Sequence, residues 1–429
     1  MAEMKADLPC GRALVTLELP DSTAVLEMEP LAPLPDPPAA VRHALVNPIE
    51  SPPLGQLARG RASACIVISD ITRPVPNQVI LPPVLETLEA AGIAREAITI
   101  LIATGMHRPN LGDELAQMVG RDIMANYRIV NHFCRDPESY RRIDVIDGAP
   151  IEVNRHYLDA GLRILTGLIE PHFYAGFSGG RKAILPGISS FETMKFMHSY
   201  RMIDHPRVAN CLLDGNPFHQ DGLRICELAG VDFIVNVVLN KHREMGGVFA
   251  GHYDAAHRAG CAVVARHSTA EVDEPFDLVI TSGGGFPLDA TCYQVAKALT
   301  CARNVLRKGG DILVICGCQE GLGGKEFSAI LRSVGSFAEF RERYRDPKDF
   351  VIDQWCAQSI YQALDHAGQI YIYSPGLAGE DIAKMGAIQV TDLQSTVDQL
   401  AARARRVALS PEGPYVVGVL REAAGALKF

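Results

Sequence analysis

Ala64 to Pro74 reads ACIVISDITRP. Its first five residues are an unbroken apolar run, with none of the alternation of a strand that has one wet face. Such a run is the mark of a strand buried on both sides of a parallel sheet. It stops sharply at Ser69 and Asp70 and turns through Thr72, Arg73 and Pro74. The arrangement recurs at Ala97 to Ala103 (AITILIA), which runs into TGMHRP, and at Arg163 to Ile169, which runs into EPHFYAGFSGGRK. Leu81 to Ala91, closed by Gly92, and Leu111 to Met118 read as helices between strands. Strands alternating with helices imply a parallel sheet covered on both faces. Ligands of such sheets bind beyond the carboxyl ends of the strands, so the three polar loops are expected to converge on one crevice.

Working outward, Arg128 to Asn131 and Phe233 to Leu239 (FIVNVVL) read as further strands, and Val15 to Leu19 as a short one. Glu29 to Leu54 is proline-rich, with a helical stretch near Ala39 to Leu45. Composition changes near Ala265 to Pro275. A second α/β unit then begins with a strand at Asp277 to Thr281, followed by SGGG, a helix from Asp289 to Arg303, and strands at Asp311 to Cys316 and Gln369 to Tyr373. The expected fold is α/β with two domains: a larger, doubly wound N-terminal domain over 1–268 and a smaller α/β domain over 269–403. The active site is expected in the cleft between them, and segment 404–429 is expected to pack back on the first domain.

Composition narrows the function. The 429 residues are 48% hydrophobic and 21% charged, as in ordinary globular proteins. A net charge of -9 argues against a nucleic-acid surface, which would be basic. No run of 18 apolar residues is present, so no membrane span is expected, and the N-terminus lacks a basic start followed by an apolar stretch. A cytoplasmic location is the expectation. The eleven cysteines are scattered and odd in number, as free thiols in a reducing compartment would be. Cys316 and Cys318 would share one face if their strand continued through them.

Phe177 to Ile188, FSGGRKAILPGI, carries the most chemistry. Gly179 and Gly180 allow close backbone approach, and Arg181 and Lys182 add positive charge, so the loop can cradle a phosphate; a tight turn with solvated basic residues is the plainer alternative. SGGG at Ser282 to Gly285 lacks the dinucleotide spacing, because Leu288 stands where the last glycine belongs, and reads as a turn. Among thirteen histidines, His107 and His172 lie in strand-end loops and His198 follows the helical stretch Phe191 to Met197. Histidine suits proton transfer near neutral pH. Zinc-hydrolase patterns and a G-x-S-x-G elbow are missing.

SDITRPVPN, ATGMHRP, PHFYAGFSGGRKAILPGI and CYQVAKAL, in this order and spacing, resemble the lactate racemase family, as do NPIESPPL and Trp355 within DQWCAQ. The resemblance covers nearly the whole chain. It implies a nickel-pincer nucleotide, a pyridinium-3,5-bisthiocarboxylic acid mononucleotide carrying Ni through two sulfurs and a ring carbon and tethered covalently to a lysine. By motif position it implies Lys182 as the tether, His198 as the nickel ligand, and His107 and His172 as the acid–base pair. It places Asp70, Thr72, Arg73, Ser178, Gly179 and Gly180 around the cofactor, and Arg73, Tyr174, Tyr293, Gln294, Lys297 and Trp355 toward substrate. Cofactor-biosynthesis proteins are the implied partners.

The residue types fit the implied reaction. The α-proton of a 2-hydroxy acid is weakly acidic beside its carboxylate, and hydride transfer through a 2-keto acid avoids the carbanion. Two enantiomers then call for two bases. The expected function is racemisation or epimerisation of a small 2-hydroxy acid: lactate-like, malate-like or an aldonic acid. An NAD-type oxidoreductase and a non-catalytic nucleotide- or metal-binding protein are the alternatives.

Overall fold

The structure is a computed structural model and describes residues 3–421. The chain forms two compact units. Unit I comprises Pro30–Met197 and Leu212–Arg266; unit II comprises the described residues through Glu29, His198–Cys211, and those from His267 on. Each is α/β, as the strand–helix alternation implied.

Unit I is built on a six-stranded sheet in the order Met245–Gly251, Phe233–Leu239, Leu162–Leu168, Ala64–Ser69, Ile98–Ala103, Arg128–Asn131. Its neighbours pair in parallel except for the antiparallel edge strand Met245–Gly251. The apolar runs read from the sequence fill its centre: Ile66, Ile68, Ile100, Ile102 and Ile164 are wholly buried. The chain begins at Ala64–Ser69, builds outward to one side, then returns to build the other. The switch point therefore lies between Ala64–Ser69 and Leu162–Leu168, where doubly wound sheets open a crevice. The helix expected at Leu81 begins earlier and spans Asn77–Ala90, with Pro82 and Pro83 held inside it. The hairpin Tyr140–Ile146 with Ala149–Asn154 was not legible in the sequence.

Unit II has a second six-stranded sheet in the order Ile388–Gln389, Gln369–Tyr373, Leu306–Ile315, Phe276–Ser282, Val407–Ser410, Ala24–Val25, parallel throughout. The boundaries differ from the expected 1–268 and 269–403. Ala24–Val25 adds a strand beside Val407–Ser410, and the hairpin Glu3–Cys10 with Ala13–Pro20 buries Leu8, Leu17 and Leu19 among Leu278, Ile280 and Leu313. The first residues thus complete the last sheet. His198–Cys211 joins the same unit, where Gln358 donates to the Tyr200 carbonyl at 3.2 Å. Val417–Leu420 pairs with Thr269–Val272. The described part of the tail therefore stays with unit II, and the rest of 404–429 lies outside the described residues.

The hairpin tip also settles the SGGG turn. Gly284 and Gly285 have φ of +91° and +71°, and a Cβ on Gly285 would stand 2.8 Å from the Pro9 Cβ. The Phe286 N–H donates to the Gly11 carbonyl at 2.8 Å. These glycines admit the chain's own N-terminus at the place where a dinucleotide phosphate would sit in such a sheet. All eleven cysteines are free and buried. The Leu306–Ile315 strand ends before Cys316, and Cys318 has φ of +47°, so a turn rather than strand alternation brings their sulfurs to 3.5 Å.

Asp289 ties this region together. Wholly buried, it accepts the N–H groups of Gly11 at 2.8 Å and Gly317 at 2.7 Å through Oδ2. Asp289→Ala strands two buried donors and should cost unit II about 2–4 kcal/mol. Trp355, the sole tryptophan, lies in that unit, so urea unfolding followed by its fluorescence should show a lower midpoint. An unchanged midpoint would refute the role.

Candidate active site

Unit I brings the three loops of the sequence motifs to one edge. Asp70 directly follows the Ala64–Ser69 strand and is 5% exposed. Its Oδ2 is 2.6 Å from His107 Nδ1 on the loop after the neighbouring strand Ile98–Ala103. Its Oδ1 accepts the Thr72 N–H at 3.2 Å and the Thr72 hydroxyl at 2.6 Å. The carboxylate therefore fixes the His107 ring, with Nδ1–H donated inward and Nε2 on the far side of an imidazole whose side chain is 60% exposed. Thr72 serves this pair. Arg73, half-buried, follows in the same turn, its N–H 3.2 Å from the Asp70 carbonyl.

His172 lies beyond the next strand, Leu162–Leu168, in a tight hairpin that pairs Pro171–His172 with Gly176–Phe177. Gly176 turns it at φ of +75°; a Cβ there would lie 2.4 Å from the Leu212 carbonyl oxygen. His172 is 6% exposed, and the Tyr174 and Ala175 N–H groups approach its Nδ1 at 3.5 and 3.4 Å. Tyr174 meets the imidazole edge-on, ring centroids 4.2 Å apart, and Phe173 stacks at 5.2 Å.

The glycine-rich loop continues from this hairpin. Ser178 donates its hydroxyl to the Leu168 carbonyl at 2.7 Å and its N–H to Glu170 at 2.9 Å. Gly180 donates its N–H to Asn236 Oδ1 at 2.7 Å. A Cβ on Gly179 would sit 2.7 Å from that same oxygen, and one on Gly180 would sit 2.8 Å from the His257 ring. These contacts clamp the loop from beneath. Arg181 is turned inward and wholly buried, which leaves Lys182 as the cation beside the aromatic rings. Lys182 Nζ is 5.3 Å from the Tyr174 ring centroid and 5.0 Å from that of Phe218.

Two supporting residues escaped the sequence reading. Asn236 is wholly buried and was visible only as a polar residue inside FIVNVVL. His257 donates from Nε2 to the Ser178 carbonyl at 2.8 Å, and no pattern around it announced the role.

Unit II gathers a second set. His198, 3% exposed, lies with its ring centroid 4.6 Å from that of Trp355. Trp355 Nε1 donates to the Tyr293 hydroxyl at 3.1 Å. Tyr293, Gln294 and Lys297 share the helix Cys292–Val305, and the buried Gln294 Oε1 has no hydrogen-bond partner. Among the described residues, no three histidine, cysteine or acidic side chains form a group suited to a metal ion.

Comparison with known proteins identifies the family. Residues 10–210 match the lactate racemase N-terminal domain and residues 272–417 the lactate racemase C-terminal domain. A lactate racemase of Lactiplantibacillus plantarum is 37% identical over 384 residues, covering 88% of this chain and 90% of that protein. A lactate racemase of Thermoanaerobacterium thermosaccharolyticum is 36% identical over 337 residues, 76% of each chain. The solved lactate racemase apoprotein from the latter organism superposes with a TM-score of 0.90 at 31% identity, covering 97% of this chain and 100% of that one. A Thermotoga maritima protein at 17% identity and TM-score 0.66 shares the fold. The chain is therefore an α/β enzyme of the racemase class. It belongs to the lactate racemase family.

Buried histidines make unit I acid-sensitive. Burial lowers His132 to about 4, His257 to about 3 and His219 to about 2, with the Arg181 charge adding to the last two. The folded state refuses protons that the unfolded chain accepts near 6.5, so stability is complete above that value and falls as pH drops. Between pH 6 and 5 these three should cost about 3–4 kcal/mol per pH unit. Urea unfolding of unit I at several pH values tests this; His257→Asn should flatten the slope by about one proton, and an unchanged slope would contradict it.

Proposed function

We propose that this racemase inverts the hydroxyl-bearing carbon of a small 2-hydroxy acid, lactate first, using a nickel-pincer nucleotide tethered at Lys182. One observation carries the reading: Asp70-held His107 and hairpin-held His172 follow the two strands that flank Ala64–Ser69 in one parallel sheet, and Lys182 lies against Tyr174 of that same hairpin. The donor chemistry fits the cofactor. A group that brings its own sulfur and carbon donors needs one protein ligand, and His198 is a single buried imidazole oriented by an indole. When bound, the group supplies the reversible hydride acceptance that no side chain of this chain offers.

The chain's own residues do the rest. For one enantiomer His107 Nε2 takes the hydroxyl proton, and Asp70 stabilises the resulting imidazolium through Nδ1–H. The planar 2-keto acid takes its new proton from His172 on return; for the other enantiomer the two histidines exchange roles. Arg73 suits the substrate carboxylate or the cofactor phosphate, and its fork can meet either with two hydrogen bonds. Gln294 and Lys297, three apart on one helix, present an amide and an ammonium to the substrate. Tyr174 shapes the pocket, and Trp355 keeps water from the metal ligand. Proteins that make the cofactor are the proposed partners. No described helix is long and apolar enough to cross a membrane.

Lactate deuterated at carbon 2, given as a single enantiomer to cofactor-loaded protein, should racemise more slowly than the protiated substrate and keep its label. Loss of the label to water would overturn the hydride route. Lys182→Ala should leave folded protein without a covalent mass adduct. His198→Ala should lose more nickel than His107→Ala or His172→Ala; equal nickel in all three would remove the ligand assignment. The rate should fall at both low and high pH, with two apparent values that belong to the histidine pair.

A further inference from the structure

Arg181 is among the largest wholly buried side chains of the protein, and no proton-transfer step uses it. Its Nη2 donates to the Ala175 carbonyl at 2.5 Å and points to the Phe177 carbonyl at 3.5 Å. Both carbonyls belong to the hairpin that carries His172, while Arg181 itself sits in the turn Gly180–Ala183 that carries Lys182. The guanidinium thus bridges two segments of the site from below. Asp254, the carboxylate whose charge it feels, is spent on Arg258, with contacts of 3.1 and 3.0 Å. The nearby His257 and His219 are held neutral. A buried cation resting on backbone carbonyls is an expensive way to fill space. The helix Pro217–Ala229 is cut to fit it: a Cβ on Gly222 would stand 3.1 Å from both Cγ and Cδ of Arg181. Glycine inside a helix is destabilising against alanine, so the gap is kept at the helix's own expense. One turn earlier, Phe218 of the same helix faces Lys182.

We propose that Arg181 is a positioning residue that fixes the distance between the proton-transfer hairpin and the lysine loop, and that Gly222 is its seat. This rests on the roles proposed above for His172 and Lys182. With the guanidinium in place, Lys182 and His172 keep one separation through the reaction. Without it, the hairpin and loop stay folded on their remaining backbone bonds but lose register.

The decisive variant is Gly222→Ala. It raises helix propensity while crowding the arginine stem, so a merely structural Arg181 predicts unchanged or higher stability with full activity. Positioning predicts unchanged or higher thermal stability, a covalent adduct of wild-type mass, KM within about 3-fold, and kcat lowered about 10-fold, in line with the sensitivity of such sites to small displacements. Arg181→Lys, which keeps charge but not the fork, should lower kcat by about 10- to 100-fold. Apo protein gives a readout that needs no cofactor: amide hydrogen exchange over 171–183 should quicken at least about 10-fold in Gly222→Ala while the sheet strands exchange as before. Wild-type kcat together with wild-type exchange in Gly222→Ala overturns the proposal, even if Arg181→Lys fails to fold. A wild-type protein that forms no adduct overturns the tether reading instead, and the exchange result still decides whether Arg181 braces the hairpin against the loop.

Discussion

Beneath the working edge of unit I, polar groups meet where water does not reach: Arg181 on the Ala175 carbonyl, His257 on the Ser178 carbonyl, and Asn236 on the Gly180 N–H. A loop of small residues has little apolar surface with which to anchor itself, and its glycines can adopt many conformations. Side chains from the adjacent strand and helix therefore supply hydrogen bonds that substitute for burial. The cost is visible in the chemistry of those side chains. His257 must stay neutral, and the arginine must remain charged in a poorly solvating environment. Such a network tolerates no missing member, since each one lost leaves a buried polar group behind.

The two histidines proposed for proton transfer occupy unlike settings. His107 is open to solvent and held by a carboxylate, whereas His172 is buried among Phe173 and Tyr174 and approached by backbone N–H groups.

Much of this was readable in the chain. Apolar runs such as Ala64 to Ser69 read as buried strands, and the polar loops after them hold Asp70, His107, His172 and Lys182, which unit I brings to one edge of its sheet. What escaped had no local signature. Ala24–Val25 is two residues long, and its partner is nearly 400 residues away in sequence, so neither length nor periodicity could announce it. The inward turn of Arg181 depends on space left by Gly222, a fact of tertiary packing. Thr72 and Ser178 sat in the right motifs, but only the geometry shows that their hydroxyls act on Asp70 and on the Leu168 carbonyl.

That long-range pairing bears on how the chain is made. The N-terminal hairpin carries Leu8, Leu17 and Leu19 on a face whose cover comes from Leu278, Leu313 and Leu409, so it leaves the ribosome long before its partners exist. At roughly 5–20 residues per second, the wait between Leu19 and Leu409 is about 20–80 s. Unit I lies wholly inside that interval and can fold while the hairpin stands open. For this period the nascent chain carries an unpaired, apolar ribbon beside a finished domain, which makes it a client for whatever shields such surfaces during synthesis.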